Sequence, residues 1–87
     1  MPKLKAFRLA GLELWFYSHD HLPPHFHAER SGEWQVRVYF MRQPEKMVDV
    51  VYSFRARRPS KADLKVIKQQ ARQHRVQLLA EWEEKVR

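Results

Sequence analysis

The sequence predicts an α+β fold: a small antiparallel β-sheet of four to five strands packed on one long C-terminal α-helix. Two observations carry this. Residues 4–54 hold short runs with period-two alternation, separated by turns bearing Gly, Pro or Ser. Residues 61–85 contain no Gly or Pro and repeat apolar residues every three or four positions. The length, 87 residues, allows one domain with one modest core, so 1–87 reads as a single domain.

The elements follow in order. "LKAFRL", 4–9, predicts a first strand, with a tight turn at Ala10-Gly11 leading into "LELWFY", 12–17, as its hairpin partner. In the second run Leu12, Leu14 and Phe16 share one face, and Glu13, Trp15 and Tyr17 the other. Ser18 to Pro24 is a loop, because Pro23-Pro24 lacks two backbone donors and cannot sit inside a central strand. "HFHAER", 25–30, predicts a strand that turns at Ser31-Gly32 into "EWQVRVYF", 33–40. There Trp34, Val36, Val38 and Phe40 alternate with Gln35, Arg37 and Tyr39. "MVDVVYSF", 47–54, is apolar and β-branched, a further strand, and "RARRP", 55–59, is a basic connector. Ser60 is placed to cap a helix over about 61–85, with Asp63 three residues on. Leu64, Ile67, Ala71, His74, Leu78 and Trp82 form its apolar stripe, which should meet the sheet face of Leu12, Leu14, Phe16, Phe26, Ala28, Trp34, Val36 and Val38.

Composition narrows function. Apolar residues make up 44% of the chain, which argues against disorder. There is no cysteine, so disulfides and thiolate metal sites are excluded, and any metal must use His, Asp or Glu. The first residues show no signal-peptide hydrophobic region and no membrane-spanning run, which predicts a soluble cytoplasmic protein with no membrane partner. The formal net charge of +7 suits RNA, DNA or an acidic protein partner.

The densest chemistry lies in "HDHLPPHFH", 19–27, which holds four of the five histidines. If Phe26 and Ala28 face the core, His25 and His27 face away beside Trp15, Tyr17, Arg37 and Tyr39. Such a surface suits a phosphate or an unstacked base. Three readings compete. Neutral imidazoles of His21, His25 and His27, with Asp20, suit a divalent transition metal. Alternatively, His21, His25 and His27 supply acid and base for a metal-independent cleavage of RNA, with Arg37 stabilising the charge that develops on phosphorus. The third reading is structural: the imidazoles bond backbone groups and fix the Pro-Pro loop. The main reading expects no bound cofactor and no structural zinc. His74, on the inward stripe, is expected to be a satisfied, partly buried histidine.

A second feature is basic. Lys61, Lys65, Lys68, Arg72 and Arg75 are spaced four, three, four and three apart, a stripe beside the apolar one, and Arg55, Arg57 and Arg58 precede it. These eight cations are the candidate surface for nucleic acid or an acidic partner. Glu81, Glu83 and Glu84 crowd the helix end that disfavours acids, which points to service for a partner.

"FYSHDHLPPHFHAER" closely resembles the signature of the small bacterial proteins grouped as Domain of Unknown Function 4160. Tyr17, Ser18, Asp20, His21, Pro23, Pro24, His25 and His27 match it, His19 falls at a variable position, and "HRVQLLAEW" resembles the family's closing segment. Residues 41–58 depart from its common pattern. The resemblance implies a gene commonly paired with that of a small partner protein in a toxin–antitoxin-type operon. Together these features predict a protein that binds a small cognate partner from the same operon, and RNA or DNA, through the basic surface and the histidine-rich loop. An RNA-cleaving enzyme and a metal-binding accessory protein are the alternatives.

Overall fold

The structure is a computed structural model that describes residues 2–86. Its strands are β1 (Glu13–Trp15), β2 (Phe26–Arg30), β3 (Trp34–Val38) and β4 (Val48–Ser53), followed by helices α1 (Lys61–Gln73) and α2 (Arg75–Lys85). The strands form one antiparallel sheet in sequence order, a meander with β1 and β4 at its edges.

Register assigns the faces. Leu14, Ala28, Val36 and Val50 stand opposite one another in one row, and Trp15, His27, Arg37 and Asp49 in the next. Val50, at the sheet edge, is exposed, whereas Leu14, Ala28 and Val36 of the first row are buried on the side of the helices. Phe26, Val36 and Val38 are fully buried there with Trp34, Phe16 and Phe40, against Ile67, Ala71 and Leu78 of the helical stripe. The turns fall as their residues require. Gly11 and Gly32 have φ of 78° and 76°, left-handed positions that Gly occupies without steric cost. Ser60 Oγ accepts from the Asp63 amide at 3.0 Å, capping α1 as the sequence predicts. The Asp63 carboxylate in turn accepts from Arg30 at 3.1 Å, tying the helix start to β2.

Two expectations change. Residues 4–9 do not form a strand; the ladder beside β1 shrinks to a bridge of Lys3 with Trp15, flanked by hydrogen bonds from Leu4 to Leu14 and from Phe16 to Pro2. The reason lies in α2. The Glu81 carboxylate accepts from the Lys5 and Ala6 amides, both at 2.8 Å, so these donors leave the sheet. Lys85 Nζ, also at 2.8 Å, balances the charge. Glu81 is buried and holds the N-terminal segment rather than facing a partner, whereas Glu83 and Glu84 are exposed.

The C-terminal helix is also not one continuous rod. It breaks at His74, with φ −107° and ψ 21°. The His74 backbone N–H and ring Nδ1 both lie 3.0 Å from the Gln70 carbonyl, so the side chain intrudes on the helical ladder, a known cause of kinks. The ring packs against Phe7, with centroids 5.4 Å apart, and does not reach the histidine-rich loop.

Candidate functional site

The outer face of the sheet is closed by residues 17–25, which turn back over it. The turn begins at Tyr17, whose amide donates to Asp20 Oδ2 at 3.1 Å, while the Asp20 amide donates to the Tyr17 carbonyl at 3.3 Å. This reciprocal pair aims the carboxylate inward. The chain then passes through a cis Leu22–Pro23 bond and enters β2 at Phe26, whose burial in the core anchors the histidines on either side.

Asp20, His25 and His27 converge. His27 Nε2 lies 3.0 Å from Asp20 Oδ2, and His25 Nε2 lies 3.5 Å from Asp20 Oδ1. One donor atom from each residue falls within 4.8 Å of the other two. The three side chains are 12%, 5% and 4% exposed for Asp20, His25 and His27, so the cluster is largely screened from water. His25 Nδ1 lies 2.9 Å from the Pro23 carbonyl. That oxygen can only accept, so Nδ1 carries the proton. His27 Nδ1 faces the Gln35 amide at 3.5 Å.

Aromatic rings wall the cluster. Trp15 stacks on His27 with centroids 5.5 Å apart, and Tyr17 meets the same imidazole edge-on at 4.5 Å. Tyr39 packs on His25 at 5.0 Å and carries the Arg42 guanidinium 4.0 Å above its ring. The buried Trp15 Nε1 has no hydrogen-bond partner among the described residues. Burial lowers the His27 pKa below its ordinary value of 6.5, with the charges of His25 and Arg37 acting in the same direction; the Asp20 carboxylate opposes them.

The grouping expected from the sequence is therefore met by Asp20, His25 and His27 but not by His21, which is exposed on the loop with His19. Arg37 is exposed and stands opposite His27 in the ladder. His25 precedes β2 and also touches Trp82 of α2, at 5.5 Å, so it does not lie wholly away from the helices. An open base-stacking surface is absent here: Trp15 and His27 are buried against each other. Gln35 and Trp82 are site neighbours that sequence reading did not single out. The alternation that places Gln35 beside Arg37 was the available signal for the first; nothing local signalled the second.

The cations divide. Lys65, Lys68, Arg72 and Arg75 line a groove of about 600 Å3 with Gln69, Gln73 and Pro44, and no carboxylate lines it. Arg75 is committed to structure: its Nε donates to the Phe40 carbonyl at 2.7 Å and its Nη2 to the Arg42 carbonyl at 3.4 Å. Lys61 is exposed outside the groove. Arg55, Arg57 and Arg58 are exposed where β4 ends, and Arg55 and Ala56 adopt left-handed φ of 53° and 59°. That conformation costs roughly 1–2 kcal/mol for each non-Gly residue.

No helix among the described residues is long and apolar enough to cross a membrane. No curated protein and no solved structure matches the chain. The family described as Domain of unknown function (DUF4160) matches residues 11–83, a span that includes the Asp20–His25–His27 cluster, the basic groove and Trp82. The match covers most of the chain, and the protein belongs to this family.

Proposed function

We propose that the protein is the basic member of a two-protein, toxin–antitoxin-type module and binds an acidic partner protein along the free edge of β4. The observation that carries this reading is the character of that edge. Natural edge strands are usually blunted by charge, Pro or cover. Here Val50, Val51, Tyr52 and Phe54 are all exposed, at 48%, 40%, 39% and 55%. The adjoining Arg55, Arg57 and Arg58 are exposed and set a cationic flank beside these apolar residues. Strand addition with acidic flanking residues matches both features. The partner to test is the product of the adjoining gene. Co-purification followed by light scattering should give a stoichiometric complex. Val51→Lys with Phe54→Lys should dissociate it while the circular dichroism spectrum is retained. A complex indifferent to these changes contradicts the reading.

A second reading rests on the α1 groove. Lys65, Lys68 and Arg72, with the amides of Gln69 and Gln73, offer donors suited to phosphate oxygens. RNA binding through them should weaken steeply with salt, because each phosphate contact releases counterions. Fluorescence anisotropy of a labelled single strand tests it: Lys65, Lys68 and Arg72 all changed to Gln should abolish the salt-dependent component. The burial of His25 and His27 favours binding over RNA cleavage.

A further inference from the structure

We infer that Asp20, His25 and His27 form a three-ligand site for a divalent first-row transition ion such as Zn2+. This goes beyond the partner-binding reading and is independent of it.

The argument starts from an acceptor facing an acceptor. The proton on His25 Nδ1 is committed to the Pro23 carbonyl, so Nε2 of the neutral ring presents a lone pair. That lone pair faces Asp20 Oδ1, another acceptor, across 3.5 Å in a cluster largely closed to water. Two acceptors in such a place need a cation or a proton between them. The spacing suits a metal. A tetrahedral ion with bonds of about 2.0–2.1 Å separates its donors by roughly 3.3 Å. His25 Nε2 stands 3.5 Å from Oδ1 and His27 Nε2 3.0 Å from Oδ2 of the same carboxylate, each near that value from its own oxygen, and one ligand atom from each residue lies within 4.8 Å of the other two.

The surroundings orient the ligands as a metal requires. A ligating histidine usually donates its other N–H to a carbonyl or carboxylate, which fixes ring and tautomer. Pro23 does this for His25. Gln35 can do it for His27: with its amide oxygen turned toward Nδ1, the His27 proton moves from Nε2 to Nδ1, and Nε2 is freed for the ion. The Tyr17 amide holds Asp20 in place at 3.1 Å. The donor set is nitrogen and oxygen, which suits zinc and its first-row neighbours rather than a thiolate-seeking ion. Three protein ligands leave a coordination position open, unlike the closed four-ligand sets of structural zinc. Asp20 is the most exposed of the three ligands, so an ion enters on its side.

The test uses tag-free full-length protein stripped with chelator, titrated calorimetrically with Zn2+ and spectroscopically with Co2+. One equivalent should bind. Asp20→Asn and His27→Gln should each weaken binding by more than about tenfold, and Gln35→Leu by about tenfold, the usual consequence of losing an outer partner. His19→Ala with His21→Ala should leave it unchanged within about twofold, since neither residue belongs to the cluster. Gln35→Leu keeps the test decisive if either ligand variant fails to fold. Absence of binding, or binding that survives Asp20→Asn and disappears with the His19 and His21 pair, overturns the site and leaves a proton as the group between His25 and Asp20.

Discussion

Phe26 and His27 are neighbours in β2 and equally inaccessible, at 0% and 3% exposure, yet different physics buries them. Phe26 is enclosed by apolar contacts, with Phe7 edge-on at 5.8 Å and Phe40 stacked at 6.3 Å. His27 is enclosed by a carboxylate, an amide and two aromatic rings, each at a defined distance. Hydrophobic burial is non-directional and scales with area. Burial of a polar ring is directional and costly unless its partners are present. The inner face therefore reads as the stability of the fold, and the outer face as a site built on it.

The comparison is most easily broken at the inner face. Phe26→Ala should cost about 3–5 kcal/mol in urea denaturation, the range for a large aromatic cavity. A cost no greater than that of a surface change would show that the helices do not seal this face. Next in size, Glu81→Leu strands the Lys5 and Ala6 amides and should cost about 3 kcal/mol, measured the same way. On the outer face, His27→Leu keeps apolar contact with Trp15 but removes the donor to Asp20, and should cost about 1–3 kcal/mol. A stabilised His27→Leu would mean that the polar ring contributes nothing beyond volume.

The pH dependence sharpens the same contrast. The folded-state pKa of His27 lies below 6.5, so the unfolded chain binds a proton at a higher pH than the native protein. His27 therefore makes stability fall as pH drops through 6.5, with the loss complete at the lower folded-state pKa. The slope is at most about 1.4 kcal/mol per pH unit. In metal-free protein, His27→Gln should flatten this part of the profile, whereas Phe26→Val should lower the whole curve without changing its shape. The smallest effect belongs to the groove. Lys65, Lys68 and Arg72 changed together to Gln should move stability by no more than about 0.5 kcal/mol, but Arg75→Gln should cost about 1 kcal/mol through its two carbonyl contacts.

Much of the inner face was legible because period two and the three-four spacing act locally. Trp34, Val36, Val38 and Phe40 are buried as their alternation predicts, and Ile67, Ala71, Leu78 and Trp82 as their helical spacing predicts. What was not legible depends on partners far along the chain. Residues 4–9 look like a strand, but Glu81 takes two of their amides from more than seventy positions away. The helix looks unbroken because nothing in its composition reports that the His74 ring bonds back to Gln70. At the site, alternation placed His25 and His27 beside Trp15, Tyr17 and Tyr39, as the ring contacts show. It could not distinguish His21 from Asp20, because loop residues have no period, and it could not foresee that the outer face is closed over.

The most direct measurement of the central claim is long-range proton–nitrogen NMR of the histidine rings in metal-free and zinc-loaded protein at neutral pH. The account predicts that metal-free His25 carries its proton on Nδ1 and His27 on Nε2. Zinc should keep the His25 proton on Nδ1, displace any proton from its Nε2, move the His27 proton to Nδ1, and shift Nε2 of both rings while His19 and His21 stay unchanged. Zinc shifts confined to His19 and His21, or His25 and His27 rings that one equivalent of zinc leaves unchanged, would contradict it.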